Sequence, residues 1–109
     1  MESKAAVIRL SALAQDTRLA IFRLLVATGA EGLPVGQIGE RLGLAGATLS
    51  FHLKELTHAN LTTARQQGRF VYYTANYAEI DGLLRYLTEN CCAGQPCAAT
   101  TTATCTDCP

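Results

Sequence analysis

The chemistry in this chain is concentrated in sulfur. All five cysteines lie between Cys91 and Cys108 of the 109 residues, and none could staple the first ninety. A secreted disulfide framework spreads its cysteines through the fold, and an odd count leaves one over in any intramolecular pairing. The placement points instead to ligands. Cys91-Cys92, four intervening residues and Cys97 offer three thiolates within one loop's reach, soft donors that favour soft ions over magnesium, calcium or manganese. Trivalent arsenic bonds three sulfurs in a trigonal pyramid, so this set closes a site for As(III), or its antimony analogue Sb(III), without a fourth ligand. Zinc is the alternative, since Cys92 and Cys97 with the Cys105-x-x-Cys108 pair could make a tetrahedral set of four. Cadmium, another soft ion, stands beside zinc. A thiol redox switch ranks last, because the thiols follow a helix C-terminus, whose dipole disfavours thiolates, and Arg85 is the nearest preceding cation.

These thiols need a platform. The boundary falls near Asn90, dividing a periodic domain (residues 1–90) from a tail (91–109) of mostly Cys, Ala, Thr, Gly and Pro, with Ala98 to Thr104 as a low-complexity spacer. Adjacent helical residues point about 100° apart, so Cys91 and Cys92 can converge on one ion only if the helix before them ends there. Asn90, Gly94 and Pro96 favour such an ending.

Within the first ninety residues the periodicity predicts a first helix over 5–14, with Val7, Leu10 and Leu13 along one face. A second helix, capped by Asp16, carries Ile21, Leu24 and Leu25 and ends at Thr28 before Gly29. Gly32 to Pro34 reads as a linker. A short helix with Val35, Ile38 and Leu42 stops at Gly43; after a tight turn comes another with Leu49, Leu53 and Leu56 inward. The period then changes to two. Leu61 to Arg65 and Phe70 to Thr74 form a β-hairpin turning at Gln67-Gly68, and a last helix starts at Asn76, with Glu79 in capping-box relation and Ile80, Leu83, Leu84 and Leu87 on its length. The fold class is mainly α with a β-hairpin, in the order α-α-α-α-β-β-α, which is a winged helix-turn-helix.

That layout sends the fourth helix into the major groove of double-stranded DNA and rests the hairpin on the flanking backbone. With the three leucines inward, Ala47, Phe51, Lys54 and His58 lie on the opposite face and Thr48, Ser50 and His52 on its flanks. Small hydroxyls suit base edges or phosphates, Lys54 a phosphate, and Phe51 a thymine methyl. Nine Lys plus Arg balance nine Asp plus Glu overall, yet between Ala47 and Tyr73 Lys54, Arg65 and Arg69 stand against Glu55 alone. The basic surface is local. A reader with so few contacts per protomer calls for two-fold repetition in a homodimer.

Three stretches, Gln37-Ile-Gly-Glu-Arg-Leu-Gly-Leu44, Thr48-Leu-Ser-Phe-His-Leu-Lys-Glu-Leu56 and Gly68-Arg-Phe-Val-Tyr-Tyr73, resemble the ArsR/SmtB family of bacterial metal-responsive repressors over roughly residues 5–90. The resemblance implies a homodimer paired through its first and last helices that occupies its own operator until an inducer ion binds. Carried over by position, Thr48, Ser50, His52 and Lys54 face the groove, and Arg65, Gln67 and Arg69 belong to the wing. Two departures stand out. Ala45-Gly46-Ala47 leaves the fourth helix without a good N-cap unless Gly46 or Thr48 serves, and the third helix has Gln37 to Leu42 where many members carry a Cys-x-Cys pair. An Asn-Cys-Cys sequence ending the last helix, with a third Cys soon after, looks like an arsenic-responsive variety.

Other classes fare worse. A thiol-based reductase lacks a nucleophile paired with a clear base, a Gly-rich phosphate loop and a cation beside the thiols. A structural module with a zinc knuckle remains the other rival. Arg9 breaks the apolar run that a secretory signal needs, and Arg18 and Arg23 interrupt the best candidate for a membrane span of roughly 20 apolar residues, so a cytoplasmic protein is expected.

Overall fold

The computed structural model describes residues 1–94; Cys97, Cys105 and Cys108, with the spacer between them, lie outside the described residues. Five helices carry the fold: α1 (Ser3–Leu13), α2 (Asp16–Thr28), α3 (Val35–Leu42), α4 (Gly46–His58) and α5 (Tyr77–Leu87). Three strands, β1 (Leu33–Pro34), β2 (Thr62–Gln67) and β3 (Phe70–Ala75), form an antiparallel sheet in the order β1-β3-β2. This is a winged helix-turn-helix. Among the described residues no helix is long and apolar enough to cross a membrane.

The expected linker at Gly32 to Pro34 is in part a strand: Leu33 pairs with Tyr73 and Pro34 with Tyr72. Two residues are too short to show a period, and only the partner strand creates the element. Gly32 makes the approach possible. Its φ is +77°, and a Cβ there would collide with the carbonyl of Tyr73 and the methyl of Thr74.

The core gathers Ile21, Phe22 and Leu25 from α2, Leu33 from β1, Ile38 from α3, and Leu49, Leu53 and Leu56 from α4, closed by Leu61 and Ala75. Each fully buried leucine contributes about 1.5–3 kcal/mol relative to exposure. The inward leucines of α4 therefore fix which of its faces is left for solvent. After α4 the chain reverses at Asn60, φ 66°, where the Leu61 amide donates back to the Leu56 carbonyl. The sequence then enters β2 with Thr62 buried and hydrogen-bonded to Thr57 at 3.0 Å.

Helix caps differ from expectation in two places. Asp16 is the first residue of α2 rather than its cap; Gln15 takes that role, accepting from the Arg18 amide at 2.9 Å. At α5, Asn76 does accept from the Glu79 amide, at 3.4 Å, but the reciprocal half of the box is not made. The Asn76 amide donates to the Leu61 carbonyl, and the Glu79 carboxylate is drawn off to Arg9, 2.9 Å away. Arg9 is buried and also donates to the Ala5 carbonyl, so α1 is tied to α5 by a charge pair partly shielded from water.

On α1, Ala6, Arg9 and Ala12 face inward, while Val7, Ile8 and Leu10 are exposed; on α5, Leu83 is buried and Leu84 and Leu87 are exposed. Both outer helices thus turn apolar side chains to solvent.

Candidate nucleic-acid interface and thiol site

The face of α4 opposite its leucines is open. Thr48, Ser50, Phe51, Lys54 and His58 are all exposed. The helix starts after Ala45, which offers no side-chain cap, and neither Gly46 nor Thr48 substitutes for one. Its first amides are therefore left for solvent or for a negatively charged partner.

His52 corrects the expectation. It is buried, not groove-facing, and its Nδ1 accepts a hydrogen bond from Arg18 Nε at 3.1 Å. A position 100° from the outward face can go either way; here the imidazole turns toward α2, where a donor waits. Accepting at Nδ1 places the neutral ring's proton on Nε2. The same guanidinium stands 5.6 Å from the centroid of the Phe51 ring, which meets the His52 ring edge-on at 5.5 Å. Helix α2 thus contributes a cation to the recognition face. The sequence gives no signal for it, since Arg18 reads only as an interruption of an apolar run.

The wing is a two-residue reversal between Gln67 and Phe70, with Gly68 at φ 63°. Arg65 is paired across the strands with Tyr72, its guanidinium 5.2 Å from that ring, and it donates to Gln67 Oε1 at 3.1 Å and the Glu31 carbonyl at 3.3 Å. Arg69 sits exposed at the tip. Among the described residues the ion pairs are Arg9–Glu79 and Arg85–Asp81, so Arg18, Lys54, Arg65 and Arg69 have no carboxylate at ion-pair distance. That leaves positive charge on the α4 and wing side for a polyanion.

At the other end of the chain, α5 stops at Leu87, earlier than the cysteines themselves, and Thr88 caps it by donating to the Leu84 carbonyl at 2.8 Å. Asn90 takes φ 59°, and in the turn over Cys91–Gly94 Cys92 and Ala93 take φ 57° and 56°. This reversal brings the Cys91 and Cys92 sulfurs to 3.4 Å. Cys91 is half-buried and Cys92 exposed. The convergence that a continuing helix would forbid is therefore present.

A family model described as a helix-turn-helix domain matches residues 13–65. The arsenical resistance operon repressor of Bacillus subtilis (strain 168) is 37% identical over 84 residues, covering 77% of this chain and 76% of that one. The transcriptional activator HlyU of Vibrio cholerae is 33% identical over 85 residues, covering 78% and 76%. The solved structure of reduced HlyU superposes with a TM-score of 0.66 at 32% identity, over 83% of this chain and 92% of that one. A homodimeric winged helix-turn-helix DNA-binding domain from Mycobacterium bovis, a possible ArsR-family regulator, gives 0.63 at 26% identity, over 84% and 85%. The match to another B. subtilis relative, the uncharacterized regulator YceK, spans 60% of its length. This chain belongs to the ArsR/SmtB family of winged-helix transcriptional regulators.

Proposed function

We propose that the chain is a cytoplasmic, arsenite-responsive repressor, a homodimer that holds its operator in the apo state and leaves it when As(III) or Sb(III) binds Cys91, Cys92 and Cys97. The observation that carries this is the 3.4 Å approach of two sulfurs at the end of α5. Similarity to an arsenical resistance repressor supports the choice of ion. Cys91 and Cys92 are soft donors, one half-buried and one exposed, which suits a thiophilic ion.

Dimerisation through α1 and α5 would bury Val7, Ile8, Leu10, Leu84 and Leu87, which a lone protomer exposes. It would also set two copies of α4 about one DNA turn apart, roughly 34–36 Å, to read successive major grooves. Because the thiol turn is continuous with α5, closing it on an ion reshapes the end of a dimerisation helix and changes that spacing. Ion and operator then weaken each other equally, and a coupling of about 1–3 kcal/mol corresponds to roughly 5- to 150-fold.

The test is fluorescence anisotropy on a labelled duplex from the promoter of the gene encoding this chain, titrated with and without arsenite under reducing conditions. Arsenite should lower affinity within that range, and Cys92→Ser should abolish the effect while leaving apo affinity unchanged. Unaltered affinity at saturating arsenite defeats the proposal. The same adjacent sulfurs favour a second reading, a thiol redox switch; release by peroxide in metal-free buffer, with no response to arsenite, would select it.

A further inference from the structure

We infer that Arg18, on α2, is a DNA-backbone contact of this regulator, and that the buried His52 is a positioning residue that aims it. The inference rests on the DNA-binding reading above and extends it to a helix outside the helix-turn-helix pair.

Three observations converge on Arg18. Its Nε is fixed by His52 Nδ1 at 3.1 Å, and His52 is itself nine-tenths buried, so the anchor is held by the core. Its guanidinium carbon lies 5.6 Å from the ring of Phe51, a side chain on the solvent face of α4 that is 55% exposed. Among the described residues no carboxylate lies at ion-pair distance from it, and its terminal nitrogens make no hydrogen bond. A guanidinium presents five donors in a rigid fork. Fixing Nε leaves the two Nη nitrogens for another acceptor, and the Phe51 ring 5.6 Å away puts the guanidinium beside the solvent face of α4. A phosphate oxygen matches such a donor pair in charge and geometry. Because His52 accepts at Nδ1, it orients Arg18 without neutralising it. A carboxylate in that place would cancel the charge that the backbone contact needs.

The experiment measures affinity against salt for the full chain, on the promoter duplex and on a scrambled duplex of equal length. Each phosphate neutralised adds about 0.9 to the slope of log affinity against log salt, so Arg18→Gln should lower the slope by about 1.8 per dimer. Affinity for both duplexes should fall together, by about 3- to 10-fold at moderate salt, since a phosphate contact carries no sequence information. An unchanged slope overturns the inference, whatever the affinity does. Arg18→Lys retains the charge without the Nε anchor, and His52→Leu retains the arginine without its acceptor. Both should keep the wild-type slope with weaker binding; binding as tight as wild type in either overturns the positioning role of His52. Circular dichroism and size-exclusion chromatography of each variant confirm a folded dimer before titration. If the unaltered protein shows no salt-dependent binding to either duplex, the DNA-binding reading itself fails, an outcome distinct from failure at Arg18.

Discussion

The recognition side and the thiol turn solve opposite problems. Helix α4 is held from behind by Leu49, Leu53 and Leu56, all essentially buried, so its outer face is presented on a support that cannot shift without opening the core. The turn over Cys91–Gly94 lies past the end of α5, and Asn90, Cys92 and Ala93 all sit in the left-handed region, at about 1–2 kcal/mol each for Cys92 and Ala93. A surface that reads DNA gains from preorganisation, because fixed donors need no ordering on contact. For the inducer site proposed above the reverse is useful, since strain in the unliganded turn adds to the difference in free energy by which a bound ion can favour another backbone conformation.

Substitutions separate the two regions, beginning with the support of the reading face. Leu53→Ala should cost about 2–5 kcal/mol in a urea melt by leaving a cavity behind α4, whereas Cys92→Ser should leave the melt unchanged. If both shift it equally, the contrast is wrong. Glu79→Ala strands the buried Arg9 guanidinium and should cost about 1–3 kcal/mol. Because that pair joins α1 to α5, its loss should also weaken the dimer in analytical ultracentrifugation. Lys54→Ala removes one exposed cation and should reduce operator affinity by about tenfold, with a shallower salt dependence and no change in arsenite affinity by calorimetry. The smallest effect is expected at the uncapped start of α4. Ala45→Ser supplies an acceptor for the first amides and should raise stability by about 0.5–2 kcal/mol, read as a higher Tm.

Much of the architecture was legible in the residues where an element carries its own boundary signal. Gly43 stops α3 with φ 66°, Asn76 caps α5, and Gly68 turns the wing. Strand β1 was not legible, since two residues have no pattern of their own and pair only because β3 passes beside Gly32. The reading of α4's exposed face from the leucine spacing holds for Thr48, Ser50, Phe51 and Lys54. It failed at His52, a flanking position whose direction is decided by a donor 34 residues away on another helix.

By itself the sequence determined the periodicities, the turn glycines, the clustering of thiols and the family, because these depend on neighbours a few residues apart. Only the tertiary structure decided that Glu79 serves Arg9 instead of closing its capping box, that Arg18 joins α4 through His52, and that the α1 and α5 apolar residues Val7, Leu10, Leu84 and Leu87 face outward. Polar groups go to the strongest partner within reach, and which partners are within reach is settled only when distant segments pack.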